Sequence, residues 1–194
     1  RALANNSVAY KGKPEMGTFM REWLALYDSK SGERGIFNRE AANVQVGRNG
    51  RREQGHMWGT NPCSEIILRP YQFCNLSEVV VREYDTLEDL KEKVHLATIL
   101  GTLQSTLTDF KYLRKVWKTN TEEERLLGVS LTGIMDHPIL SKNVDSRRWL
   151  EEMKLVAVDT NWDLAVNGIG IPQSAAITCV KPSGTVSQLV DAAS

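Results

Sequence analysis

Residues 76–107 place a β-branched run directly before a capped helix, and this pairing constrains the fold more than any other stretch. Leu76 to Val81 contains Val79-Val80-Val81, which reads as a strand. Five residues on, Thr86-Leu87-Glu88-Asp89 has a hydroxyl at the cap position and a carboxylate three residues later, the pattern of a capping box. The helix predicted there lines up Leu87, Leu90, Val94, Ala97, Leu100, Leu103 and Leu107. A second helix is expected over Glu15 to Asp28, with Phe19, Met20, Trp23, Leu24 and Tyr27 at helical spacing, closed by the turn-rich Lys30 to Gly35. A third, from Ser146 to Asn167, has Gly168 as its stop. Thr121-Glu122-Glu123-Glu124 repeats the capping logic, and predicts a helix through Leu126 to about Met135, with Pro138 beyond it. Shorter strands are expected at the end of Asn5 to Tyr10, over Glu65 to Leu68 and over Ala175 to Val180, and mostly loop from Ala41 to Gly59. Strands interleaved with long helices define an α/β class. There is no repeat or linker, so residues 1–194 read as a single domain portion.

Charge and length exclude several functions. Lys+Arg and Asp+Glu are both 24, so no net field draws the chain to nucleic acid or an anionic membrane. The basic cluster Arg48-Asn49-Gly50-Arg51-Arg52 reads as a solvated loop. No apolar run approaches the roughly 20 residues of a membrane span. Both ends read as cut, so the chain is expected to be an internal piece of a larger protein. Three cysteines with no sign of secretion fit a reducing, cytoplasmic setting. No metal site is expected, because no cysteine has a C-x-x-C partner and His56, His95 and His137 are dispersed.

The chemistry concentrates in Asn61-Pro62-Cys63-Ser64-Glu65, with Cys74 eleven residues after Cys63. Two cysteines alone are more often buried small hydrophobes than reactive groups. Here, however, Asn-Pro favours a turn that presents the next side chain at a loop tip. In an extended loop Asn61, Cys63 and Glu65 would share one side. A thiol and a carboxylate placed so can divide hydrogen-atom and proton transfer between them. Further on, Lys181-Pro182-Ser183-Gly184-Thr185-Val186-Ser187 offers closely spaced backbone N–H groups and three hydroxyls. On its own this is an ordinary turn and N-cap, but it is also suited to an anion. Lys181 reads as a solvated lysine able to add charge there, and Cys179 as core.

These segments resemble the catalytic subunit of ribonucleotide reductase. Asn61 to Ile66 with Cys74-Asn75-Leu76-Ser77 is similar to its finger-loop region. Arg34-Gly35-Ile36-Phe37-Asn38-Arg39 is similar to a segment preceding that loop. Arg125-Leu126-Leu127-Gly128-Val129-Ser130-Leu131-Thr132-Gly133 resembles a helical glycine-containing segment, and Pro182 to Gln188 the substrate-phosphate loop. The resemblance implies part of a ten-stranded α/β barrel with a central finger loop, acting on a ribonucleotide. Cys63 would be the thiyl-radical cysteine, Glu65 the base for the 3′ hydroxyl, and Asn61 a hydrogen-bonding partner of the ribose. Cys74 would be half of the reducing cysteine pair, its partner lying outside this chain, with a thioredoxin-type reductant restoring the pair. Pro182, Ser183, Gly184, Thr185 and Val186 would hold the substrate phosphates.

The short interval between Cys63 and Cys74 resembles the adenosylcobalamin-dependent class, so adenosylcobalamin is the expected cofactor. The alternatives are the catalytic subunit of a two-subunit reductase, and a thiol redox or binding module without radical chemistry. Ser64 stands where the family often has glycine. Barrel closure needs strands beyond these residues, so the isolated chain is expected to fold poorly and to be inactive.

Overall fold

A computed structural model describes residues 7–30, 35–48, 51–142 and 144–193. The expected features at Asn5-Asn6, in most of the Lys30 to Gly35 turn, at Arg34 and at Asn49-Gly50 lie outside these residues, as do both chain ends. Two compact units are present, Arg1–Pro70 and Tyr71–Ser194.

In the first unit, β1 (Val8–Tyr10) lies parallel to β2 (Ile36–Asn38), with α1 (Met16–Ser29) between them in sequence. α1 is capped by the Glu15 carboxylate, which accepts the N–H groups of Gly17 and Thr18. The helix forms as its periodicity predicts, yet none of its residues is buried. α2 (Arg39–Gly47) occupies part of the stretch expected to be loop. Asn38 is its cap, its side-chain oxygen accepting from Glu40 and Ala41, and Ala42 and Val46 face inward. β3 (Gly59–Thr60) and β4 (Ile67–Leu68) form an antiparallel hairpin. Trp58, fully buried, packs with Ala42 and Val46 and is flanked by Phe37 and Ile67.

The second unit is built on parallel pairing. β5 (Leu76–Val80) runs beside β6 (Gly128–Thr132) in continuous register, Glu78 opposite Ser130. The segment around Thr178 adds a third parallel line through a bridge to Val129. α3 (Leu87–Gln104) and α4 (Lys115–Glu124) lie between β5 and β6 in sequence, and α5 (Ser146–Trp162) follows. The core draws Val79 and Val81, Leu90 and Val94 of α3, Leu127 and Val129, Trp149, Met153 and Ala157 of α5, and Ile177. This confirms the α/β class.

Three expectations are corrected. The helix predicted from Thr121 to about Met135 does not exist: α4 ends at Glu124, Arg125 turns left-handed (φ 45°), and residues 128–132 are the strand β6. The family-like segment 125–133 is therefore mostly strand, not helix. The acidic run closes a helix rather than opening one. Its charge at the unfavourable end of the dipole is answered by Gln72 on Glu124, by Thr108 on Glu122, and by Arg125 and Lys118 near Glu122. Along α3 the buried line is Leu90, Val94, Thr98, Gly101 and Thr102, whereas Leu100, Leu103 and Leu107 face outward. Small residues win that face because α5 approaches closely there. Finally, the last helix passes Gly168: a wider π-helical segment carries it to Ile169, and Gly170 (φ 80°) ends it.

Two predictions follow from this packing. Gly133 has φ 84°, and a Cβ there would press on the Val81 carbonyl oxygen. Gly133→Ala is expected to destabilise the second unit by about 2 kcal/mol or more in urea unfolding. In the capping box, bonds from the Thr86 hydroxyl and N–H hold the Asp89 carboxyl below its ordinary value. A carboxylate lowered in the folded state stabilises above its unfolded value and loses that effect as pH falls through the folded one. Amide protection in the first turn of α3, taken against the intrinsic exchange rate at each pH, should therefore fall below about pH 4. Asp89→Asn should remove that acid dependence.

Candidate active site

The hairpin β3–β4 presents residues 61–66 as a closed loop. Asn61 is buried, and its side-chain oxygen accepts the Ile66 N–H at 3.0 Å, while its own N–H donates to the Ile66 carbonyl at 3.3 Å. Ser64 N–H returns to the Asn61 carbonyl at 3.0 Å. These bonds turn the chain at Pro62-Cys63-Ser64 and leave Cys63 exposed at the tip. The presentation of Cys63 at a loop tip matches the sequence reading, but the reason offered for grouping it with Asn61 and Glu65 does not. Residues 62–64 form a turn, so strand alternation does not apply to them. Asn61 and Glu65 instead flank the tip on its two sides in sequence.

The polar groups of this loop are used unequally. The Asn61 oxygen is committed to the backbone, so the NH₂ group is what it can offer a ligand. One oxygen of the Glu65 carboxylate, Oε2, is buried and has no hydrogen-bond partner. A buried, unanswered carboxylate oxygen is costly unless something completes it, as a substrate hydroxyl can.

The hairpin is anchored from below by Trp58. Its indole N–H donates to Asn43 Oδ1 (3.2 Å), and Arg39 Nε donates to its carbonyl (2.9 Å). The Arg52 guanidinium lies over the ring at 4.5 Å and donates to the Ile67 carbonyl. Sequence reasoning did not mark Trp58, and it took Arg52 as part of a solvated basic loop, whereas Arg52 is packed on the Trp58 ring. The available signal was a lone tryptophan one residue before the Gly59-Thr60 strand.

Cys74 belongs to the second unit, in the extended approach to β5, and it is exposed. It lines a cavity of about 240 Å³ with Phe73, Asn75, Gln104, Phe110 and Leu126 among its walls. Phe73 is held by Trp117 (4.6 Å between ring centres) and Phe110 (5.0 Å). Cys179 is only partly buried, not core as its apolar setting suggested.

The turn at 182–184 leads into a short helix, α6 (Thr185–Leu189), which takes in Thr185 and Val186. Of the hydroxyls of Ser183, Thr185 and Ser187, two are already engaged. Ser183 Oγ accepts the Ser187 N–H at 3.1 Å, and Ser187 Oγ donates to the Ser183 carbonyl at 2.8 Å, both residues being buried. Pro182, Gly184 and Thr185 are exposed, and Val186 is half-buried. Lys181 is no freely solvated lysine: its ammonium lies 3.4 Å from Glu78, and its N–H donates to the buried Ser130 hydroxyl. Among the described residues, no group of three His, Cys, Asp or Glu is arranged to hold a metal ion. No described helix is long and apolar enough to cross a membrane.

Known proteins are similar to this chain in sequence. The sequence profile of the ribonucleotide reductase barrel domain matches residues 3–143. The adenosylcobalamin-dependent ribonucleoside-triphosphate reductase of Lacticaseibacillus paracasei is 31% identical, over 97% of this chain and 28% of its own length. The enzyme of the same name from Euglena gracilis is 29% identical, over 81% of this chain and 21% of its own length. The chain thus belongs to the ribonucleotide reductase family, within the barrel domain, and spans between a fifth and a third of the length of these relatives.

Ser64, where the sequence reading expected glycine to be common, has a backbone that favours that residue. With φ 67° it is left-handed, a conformation that glycine adopts without the Cβ penalty. Ser64→Gly is expected to raise the stability of the protein by about 0.5–1 kcal/mol in denaturant melts while leaving the loop's closing bonds in place.

Proposed function

We propose that the protein containing this chain reduces ribonucleotides to 2′-deoxyribonucleotides by a thiyl-radical mechanism, supplying DNA precursors. The observation that carries this reading is the closed 61–66 loop: an exposed thiol at its tip, with a carboxamide donor and an incompletely bonded carboxylate on either side. The named relatives extend it to ribonucleoside triphosphates as substrate class and adenosylcobalamin as cofactor. The family membership and the parallel β5–β6 pair support a place in a ten-stranded barrel, with residues 1–194 as one portion of that catalytic domain and the hairpin as its finger loop.

In this mechanism the Cys63 sulfur radical takes the 3′ hydrogen atom of the ribose. Glu65 accepts the proton of the 3′ hydroxyl, and its unpartnered oxygen suits that task. The Asn61 NH₂ donates to the ribose and helps hold the radical intermediate. The 2′ hydroxyl takes a thiol proton and leaves as water. Cys74 and a partner cysteine outside this chain give in all two protons and two electrons, one hydrogen ending on the 2′ carbon, and become a disulfide. Cys63 returns the 3′ hydrogen atom, which regenerates its radical. A thioredoxin-type reductant then restores the two thiols. The 182–186 loop holds the phosphates through its exposed backbone, the hydroxyls of Ser183 and Ser187 being used to shape it. Adenosylcobalamin, when bound, supplies the organic radical that initiates the reaction. The feature of this chain that fits it is the accessibility of Cys63, whose sulfur must be reached by an abstracting group.

The test is ribonucleoside triphosphate reduction by the full-length protein with and without adenosylcobalamin. Cobalamin-dependent deoxynucleotide formation is expected, with Cys63→Ser lowering kcat by on the order of 10³-fold or more. Glu65→Gln should lower it by roughly 10²- to 10⁴-fold, the range of a lost general base. Full turnover by Cys63→Ser would overturn the radical reading. Turnover that required an added metal-containing subunit instead would leave the family intact and remove the cofactor assignment.

A further inference from the structure

Cys63 stands at the end of a short lever. β3 and β4 are two residues each, and Cys63 lies three residues beyond Thr60. Three residues reach at most about 10 Å, so a tilt of about 6° at the base of the hairpin moves its tip by roughly 1 Å. The Asn61 bond to the Ile66 N–H closes the loop above the strands, but it does not fix how the hairpin sits on the rest of its unit.

The base is gripped by two arginines, one on each arm. The Asn61 N–H bonds the Ile66 carbonyl, so Thr60 opposite Ile67 is the next, non-bonded pair of the ladder, and the Ile67 carbonyl points away from β3. Arg52 donates to that outward carbonyl at 2.9 Å while its guanidinium lies over the Trp58 ring, 4.5 Å from its centre. On the other arm, Trp58 immediately precedes β3, and its carbonyl accepts from Arg39 Nε at 2.9 Å. The indole N–H is fixed by Asn43 Oδ1 at 3.2 Å, an oxygen that also accepts the Gly55 N–H at 2.6 Å. Trp58 is fully buried and both arginines are half-buried, a setting in which cation–π and charge-assisted contacts are stronger than at an exposed site. Arg52 comes from the basic cluster 48–52 and Arg39 opens α2, so two segments well before the tip in sequence meet at its base. A guanidinium suits position 52 as an ammonium does not. Its flat face stacks on the indole while its edge donates in plane, whereas lysine carries a point charge on a flexible stem.

We propose that Arg52 and Arg39 are positioning residues for Cys63: they clamp the two arms of the β3–β4 hairpin through the Ile67 carbonyl, the Trp58 ring and the Trp58 carbonyl, and so set where the thiol stands. The proposal rests on reading Cys63 as the residue that takes the 3′ hydrogen atom. Both arginines act through the hairpin and not on the ribose. What they govern is the distance from the Cys63 sulfur to the 3′ carbon, where a misplacement of about 1 Å costs roughly 10²-fold in rate.

Two measurements on the full-length protein test the clamp: amide exchange at residues 61–66, and steady-state reduction of a ribonucleoside triphosphate carrying hydrogen or deuterium at the 3′ carbon. Arg52→Met and Arg39→Met are each expected to speed exchange of the Ser64 and Ile66 amides about tenfold or more, with the amides of β5 and α3 unchanged. The kcat should fall by about 10- to 100-fold with KM held within about twofold. The deuterium isotope effect on kcat should grow, because hydrogen transfer then limits turnover. A smaller folded fraction would lower kcat and leave the isotope effect where it was. Arg52→Lys should recover little of the loss, since it keeps the charge without the planar fork. Unchanged exchange in either methionine substitution, an unchanged isotope effect, or full recovery by Arg52→Lys would overturn the clamp. If the wild-type protein reduces ribonucleotides and Arg52→Met keeps its kcat, the clamp falls and the reductase reading stands. If the wild type reduces none while exchange quickens as stated, the reductase reading falls and the clamp on the hairpin stands without that chemistry.

Discussion

A single buried carboxamide fixes the relation between the helices and the β-layer of the second unit. Asn161, fully enclosed, donates to Thr102 Oγ1 on α3 and to Ser174 Oγ, and accepts the Ser174 N–H. All of its strong hydrogen-bonding directions lie inside the protein, where an unpaired amide would be expensive and a satisfied one enforces a single arrangement. The Asn161–Thr102 bond joins α5 to α3 directly, while Gly101 on α3 faces Leu127 and Ser77 of the β-layer. Ser174 then leads directly into the segment that bonds along β6, through Leu127 N–H to Ala176, Val129 N–H to Ile177 and Cys179 N–H back to Val129. The 182–186 loop begins at the end of that line. Its position is therefore inherited from an amide network well before it in sequence.

The β3–β4 hairpin obeys a different rule. Its strands are only two residues each, too short to hold a turn in place by themselves. Order comes from Asn61 closing the loop and from Trp58 beneath it, whose ring, indole N–H and carbonyl are each held by a separate neighbour. A side chain at an exposed tip keeps one position only if the loop beneath it is held in this way. Rigidity is thus supplied by the shoulders and the floor, while the tip itself remains accessible.

What could be read in the sequence follows from the range of the interactions involved. The capping box at Thr86–Asp89 and the hairpin tip at Cys63 are local devices, complete within a few residues, and both stand where the sequence placed them. The acidic run at Glu122–Glu124 was misjudged because its compensation comes from distant residues, Gln72 above all. On α3, periodicity identified an apolar stripe correctly, but the buried face was decided by how closely α5 approaches, and this selects small polar residues over leucine. α2 was overlooked although Asn38 and Glu40 signal its start, since a nine-residue helix carries little periodicity. For the candidate site, family resemblance named the residues. The commitments of their polar atoms were not legible, because those depend on neighbours such as Ile66 that have no chemical signature of their own.

The same accounting of commitments governs how the second unit can meet an anion. Its lysines near β5 and α3 are not equivalent: Lys91 is held at 2.7 Å by Glu152 and Lys93 at 2.6 Å by Asp85, whereas Lys181 waits at 3.4 Å from Glu78. Tight pairs keep their charge local, and a positive group already paired at short range contributes little to a ligand a few ångströms away. Likewise Ser183 and Ser187 spend their hydroxyls on one another's backbone and thereby set the curvature that exposes Gly184 and Thr185. The turn at 182–184 is therefore shaped by hydroxyls that bond within it, and the backbone of Gly184 and Thr185 is left exposed.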